Sequence, residues 1–313
     1  MYNMTKESKI ENKKAHCAKT QQDARRQILK DVLEMGRIHI VTDSTSGITK
    51  EDIAKYDIHI VPLSIQFNGQ TYIDGVDITP EQFLERMGES KELPKSSQPA
   101  VGVFEELFNE LGKDGDEVLV ITMTGGMSGT VKSAEAAAAI SDAHVTVVDS
   151  RFTAGALGFQ VLEAAKMAQE GQHLDDILAR IEHVRQNTHL YVVIDTLENM
   201  VKGGRIGKAT SLIGSLLNIK PIANLEGGEY NLVTKVRSYK AVTKYLFKQF
   251  EEDTAGKKVL GVTIEHANGM KMAEPLAEQI QKSGFNDLKY SFTSPIISTH
   301  TGPGAIGFCY YTE

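Results

Sequence analysis

The stretch from Val118 to Thr130, Val-Leu-Val-Ile-Thr-Met-Thr-Gly-Gly-Met-Ser-Gly-Thr, constrains the fold of this chain more than any other. Residues 118–123 are β-branched and nearly all apolar, the pattern of a short strand buried on both faces. Gly125 and Gly126 break that strand. Ser128 then stands where a helix N-cap belongs, ahead of the Ala-rich run 133–139, a strong helix former. A strand, a glycine turn and a capped helix present free N–H groups and a hydroxyl at the positive end of a dipole. That arrangement suits an anion, either a phosphate or a carboxylate.

Composition narrows the choice. The chain has 313 residues, enough for two domains, and is 41% apolar and 24% charged, as in ordinary globular proteins. A formal charge of −7 argues against nucleic acid as a partner, which would call for a basic surface. No run approaches the roughly 20 apolar residues of a membrane span. The two cysteines, Cys17 and Cys309, are far apart, and no metal-ligand cluster surrounds either one. Cys309 lies in an apolar run and reads as a buried small hydrophobe. A reducing, cytoplasmic setting is expected.

Strand and helix signals alternate from Ile38 onward. Residues 38–42 read as a strand ending in Asp43-Ser44-Thr45-Ser46, and Thr49 opens a helix. Residues 58–65 read as one strand. Asn68-Gly69 is a hairpin turn, and Thr79-Pro80 starts a helix. A helix at 104–111 and strands at 118–123 and 145–148 complete an α/β half. Its parallel sheet is covered on both faces, a three-layer α/β/α arrangement. Ligands of such sheets sit beyond the carboxyl ends of the strands, where the Asp43, Ser128 and Asp149 turns lie. After two helices at 157–170 and 174–186, strand 191–194 leads to a basic glycine loop, 200–207. An apolar helix at 212–217 leads to 219–222, an antiparallel pair at 222–225 and 230–233 is joined by a Gly-Gly turn, and late strands follow at 257–264 and 306–311. This half reads as α+β. The expected organisation is an N-terminal arm (1–37), with a weak helix at 21–35, an N-terminal α/β domain (38–152) and a C-terminal domain (153–313). A ligand would lie between the two domains.

Several residues stand out as candidates. Arg205, in Lys202-Gly203-Gly204-Arg205, presents a fork suited to phosphate or carboxylate, although a solvated surface charge reads equally well. Arg237 follows a strand and is a weaker candidate. His300 stands among Ser298, Thr299 and Thr301 just before a Gly-Pro-Gly turn. The loop Lys95-Ser96-Ser97-Gln98-Pro99 could simply cap the next helix. The Ser128 turn lacks the second glycine of a nucleophile elbow, yet a serine hydrolase using Ser128 and His300, oriented by Asp43 or Asp149, is the competing reading. A small-molecule sensor or interaction domain is a third. Neither a phosphate-binding Gly-rich motif nor a metal-ligand spacing is present in the sequence, so metal and cofactor are expected to be absent.

In their combined order these motifs resemble the DegV family, the fatty-acid-binding subunits of bacterial fatty acid kinase. They are Val41-Thr-Asp-Ser-Thr-Ser46, Asp74-Gly-Val-Asp-Ile-Thr79, Ser96-Ser-Gln-Pro99, Met127-Ser-Gly-Thr130, Val148-Asp-Ser150, Lys202-Gly-Gly-Arg-Ile-Gly207, Asn218-Ile-Lys-Pro221, Lys235-Val-Arg237 and His300-Thr-Gly-Pro-Gly304. The resemblance implies a non-enzymatic lipid-binding subunit without a cofactor. A long-chain fatty acid would lie in a tunnel between the domains, its carboxylate held by Ser96, Ser128 and His300. Arg205, on an exposed face, and Arg237 would meet a separate ATP-binding kinase subunit. That subunit would make an acyl phosphate for phospholipid synthesis, and transient membrane contact would allow lipid exchange. Two departures stand out. Lys95-Ser96 replaces the Thr-Thr pair more usual before Ser97, and Thr124-Gly125-Gly126 replaces a Ser-Ser pair.

Overall fold

The computed structural model describes residues 36–90, 92–207 and 219–313. The expected helices at 21–35 and 212–217, and Cys17, lie outside the described residues. Residues Ile38–Glu313 form one compact unit.

Its first half contains β1 (Ile38–Asp43), α1 (Lys50–Tyr56), β2 (His59–Val61), β3 (Ser64–Phe67), β4 (Gln70–Ile73), α2 (Pro80–Glu89), β5 (Lys95–Ser97), α3 (Val101–Leu111), β6 (Glu117–Thr122), α4 (Thr130–Ala138) and β7 (His144–Asp149). Strands β2-β1-β6-β7 make a four-stranded parallel sheet. Alternation along each strand decides which layer each side chain joins. Val41, Val61, Val118 and Val120 pack on Phe104 and Phe108 of α3 and on Ala134 and Ala137 of α4. Ile40, Leu119 and Ile121 face the opposite way, onto α5 (Ala154–Gln169).

The expected strand at 58–65 is divided. Pro62 has no N–H to continue a ladder, so β2 stays in the parallel sheet. β3 instead enters a separate antiparallel sheet, β4-β3-β5. Asn68 and Gly69, with φ of 49° and 74°, make its tight hairpin. The Lys95–Ser97 segment is the third strand of this sheet, with Ser96 opposite Ile65.

The second half continues with α6 (Leu174–Gln186), β8 (Thr188–Val193), α7 (Glu198–Lys202), β9 (Lys220–Asn224), β10 (Asn231–Val236), α8 (Tyr239–Thr254), β11 (Val259–Ala267), α9 (Met270–Lys282), β12 (Leu288–Phe292), α10 (Pro295–Thr301) and β13 (Ala305–Thr312). Its six-stranded sheet runs β10-β9-β8-β13-β11-β12 and is antiparallel except for the β11–β12 pair. One face buries Val193, Ile264, Ile306 and Phe308 under α8 and α9. The other packs Leu190, Cys309 and Tyr311 on Ala156 and Phe159 of α5. Helix α5 is therefore held between the two large sheets, which explains why it is buried on nearly every side. Close approach is possible because Gly155 and Gly158 lack side chains. A Cβ on either would lie 2.1 Å from Thr263 Cγ2 or 2.5 Å from the Ser46 carbonyl oxygen. Among the described residues no helix is long and apolar enough to cross a membrane.

Candidate functional site

The carboxyl end of β1 is a structural knot. Asp43 is fully buried and accepts hydrogen bonds from the Met123 amide (2.6 Å), the Thr45 amide (3.0 Å) and the Thr45 hydroxyl (2.7 Å). Burial pushes its carboxyl up, and those three donors oppose the rise. Asp149 likewise accepts from the backbone amides of Gly125 (3.2 Å) and Arg151 (2.8 Å). Both acids fix turns.

Those turns border a cavity of about 360 Å³. Leu63, Met123 and Met127 line it from the first half, and Leu190, Val192 and Ile306 from the six-stranded sheet. Ser96, Ser128, Arg205 and His300 also line it. Four of the five candidate residues thus meet at one cavity. Arg237 does not. It is exposed just past β10.

Strand β5 presents Ser96, and α10 presents His300, with Ser96 Oγ 2.7 Å from His300 Nε2. His300 lies on a helix, not in a loop. Ser294 caps α10 by accepting from the Ile297 amide, and Pro295 occupies its first turn. The glycine loop after α7 fits against the imidazole. A Cβ on Gly203 would sit 2.5 Å from His300 Nδ1, so the ring occupies space that any side chain there would fill. Burial, and secondarily the charge of Arg205, push His300 down to about 4. The imidazole is therefore neutral near pH 7, and its buried Nδ1 has no hydrogen-bond partner among the described residues.

Arg205 is half-buried, not on an exposed face. Its guanidinium donates to the carbonyls of Met127 (3.0 Å) and Gly203 (2.6 Å), so backbone of both halves holds the cation at the wall. Ser96, Arg205 and His300 also line a surface hollow of about 670 Å³ bordered by Lys95 and Lys202. The polar group therefore stands where the interior cavity meets the exterior.

Helix α4 begins at Thr130 with Gly129 as its N-cap, so Ser128 lies one residue before the cap. Its hydroxyl is 2.8 Å from Thr130 Oγ1 and accepts from the Thr130 amide at 3.3 Å. Gln98, from the Ser96-Ser97-Gln98-Pro99 segment, donates to Ser133 Oγ at 2.7 Å and ties β5 to the start of this helix. The Thr124-Gly125-Gly126 departure has a structural reason. Thr124 Oγ1 donates to the Gly228 carbonyl (2.8 Å), and a Cβ on Gly126 would meet that carbonyl oxygen at 2.4 Å. This turn clamps the two halves together instead of supplying hydroxyls to the cavity.

The geometry disfavours the hydrolase reading. Ser128 bonds Thr130, His300 faces Ser96, and Asp43 and Asp149 are engaged with other partners. The sequence reading missed Thr153, Tyr230, Glu265 and Thr293 as lining residues. A signal existed for Glu265, since an acid within an otherwise apolar strand is unusual.

A family model described as an uncharacterised protein of the DegV family matches residues 37–313. The chain belongs to the DegV family. A DegV domain-containing protein of Listeria monocytogenes is 44% identical over 281 residues, covering 89% of this chain and 100% of that protein. A Staphylococcus aureus relative is 39% identical, covering 86% of this chain and 96% of its own length. Among solved structures, a fatty-acid-binding DegV family protein from Thermus thermophilus has a TM-score of 0.84 at 32% identity, covering 88% of this chain and 100% of its own. DegV of Bacillus subtilis, a fatty acid binding protein, has a TM-score of 0.81 at 32% identity, covering 89% and 100%.

Proposed function

We propose that this DegV family chain is a fatty-acid carrier. A long-chain fatty acid lies in the cavity between the sheets, its carboxylate at Ser96, Ser128 and His300. A separate ATP-dependent kinase subunit phosphorylates that carboxylate to an acyl phosphate for phospholipid synthesis in the cytoplasm. The chain binds and presents, while the kinase subunit catalyses; membrane contact for lipid exchange is transient. One observation carries this reading: the 2.7 Å Ser96–His300 pair, with Arg205 beside it, on the wall of an apolar cavity. The fatty-acid-binding relatives support the ligand class.

Energetics favour the same ligand. Burying hydrocarbon contributes roughly 0.8 kcal/mol per methylene, which gives an acyl chain ample affinity. Its carboxylate would lose several kcal/mol if buried without hydrogen bonds. The hydroxyls of Ser96 and Ser128 answer that need. The outer hollow bordered by Lys95, Lys202 and Arg205 suits the approach of a phosphoryl donor. Arg205 and Arg237 are assigned to that partner contact.

Native mass spectrometry of protein purified from bacteria tests the ligand. A mass increase equal to a fatty acid is expected. Ser128→Ala should weaken fatty-acid binding by about 1.5–3 kcal/mol. Arg205→Ala should retain lipid yet lose acyl-phosphate formation with the kinase subunit. Protein that carries no lipid and gains none on incubation with palmitate would refute the assignment. Ester turnover abolished by Ser128→Ala would instead establish the hydrolase.

A further inference from the structure

The cavity contains a second polar spot, apart from the Ser96–His300 pair. Glu265 comes from β11, is 2% exposed and lines the cavity. Its Oε1 is buried and has no hydrogen-bond partner among the described residues. Its surroundings are Gly47, Gly155, Thr263 and Thr293, whereas His300 is packed against Gly203, Arg205 and Ser96. The two spots share none of these neighbours. Thr153, two residues ahead of Gly155, also lines the cavity and holds a buried hydroxyl without a hydrogen-bond partner among the described residues.

A buried carboxyl whose Oε1 lacks a hydrogen-bond partner among the described residues is destabilising unless something answers it. Burial pushes Glu265 up to about 7, against the Gly155 amide and the Thr293 hydroxyl, so a large share of the protein holds a neutral acid near pH 7. A neutral acid both donates and accepts. A plain hydrocarbon tail offers it nothing.

We propose that Glu265, with Thr153 and Thr293, forms a polar subsite for an oxygen along the acyl chain, so that the preferred ligand is a hydroxy or oxo fatty acid. This rests on the fatty-acid reading and narrows its substrate class. A hydroxyl or an oxo group accepts a hydrogen bond from the protonated acid. A site built around such bonds discriminates strongly against the analogue that lacks the oxygen, because its own buried groups are then left unpaired.

The test is competition, against a fluorescent fatty acid, between stearate and its monohydroxy and mono-oxo derivatives substituted at successive carbons. Delipidated wild type, Glu265→Gln and Glu265→Leu are compared. At least one positional isomer should bind wild type about tenfold or more tighter than stearate. Glu265→Gln, which can still donate and accept, should keep that preference, and Glu265→Leu should reduce the ratio to one or below. If wild type binds stearate but favours no oxygenated isomer, the subsite is refuted while the carrier role stands. The same holds if Glu265→Leu keeps the wild-type ratio. If neither stearate nor any derivative displaces the probe, the fatty-acid reading falls and the subsite with it.

Discussion

Two side chains in one cavity are driven in opposite directions by the same desolvation. His300 is pushed down to about 4 and Glu265 up to about 7, and both shifts favour the neutral form. Their effects on stability have opposite signs. Glu265 lies above its ordinary 4.5, so its contribution is fully present below that pH and is lost as pH rises through about 7. His300 lies below its ordinary 6.5, so its contribution is present above that pH and is lost as pH falls toward about 4. Glu265→Gln should therefore gain stability relative to wild type at pH 8 compared with pH 5, by on the order of 1–3 kcal/mol, read from urea midpoints. Parallel pH profiles for the two proteins would contradict the shift. Ligand acts on His300 in turn. A fatty-acid carboxylate beside the imidazole favours the cation, so its titration, followed by NMR, should move upward on loading. An unmoved His300 signal would put the carboxylate elsewhere.

The elements that carry the site differ in how far the sequence announced them. Helix α2 was plain, with Thr79 and Gln82 forming a capping box around Pro80, and so were the β1–β6–β7 strands with their apolar runs. Strand β5 was not, because Lys95, Ser96 and Ser97 have no apolar pattern and owe their conformation to pairing with β3. Helix α10 is not evident from the sequence, although Ser294 and Pro295 are good start signals, since its seven residues are too few for a clear period. The residue types of the site were legible. Their convergence came only through the family resemblance, because Ser96 and His300 are 204 positions apart and no local pattern links them. The glycine after α7 shows the same dependence on tertiary context. The room left by its missing side chain is taken by this chain's own imidazole. Gly203→Ala should displace His300 and weaken fatty-acid binding, with an overpacking penalty of about 1–3 kcal/mol in stability. Isothermal titration with palmitate and a thermal melt check both parts; wild-type affinity in the variant would show that the ring does not need that space.

At the scale of the whole molecule, the cavity exists because two sheets share one helix and are clamped at one turn. Helix α5 lies between them, and Thr124 bonds across to the carbonyl of Gly228. Apolar walls from both halves face the same space, so each sheet leaves part of its surface without protein contact there. A ligand filling that space touches both sheets at once and binds only the assembled fold. Linkage then requires it to stabilise that fold, by about 2.7 kcal/mol when free ligand stands near 100 times Kd. For a chain of this size that corresponds to a rise in Tm of about 4–5 °C. Delipidated protein should therefore melt lower than protein reloaded with palmitate, in a single transition if the halves unfold together. Thr124→Val should lower both melting points by loosening the clamp while leaving the increment from ligand in place. An increment that vanishes in this variant would mean that the ligand bridges the sheets only when the turn holds them. Identical melts for empty and palmitate-treated wild type would mean that palmitate does not bind the folded protein.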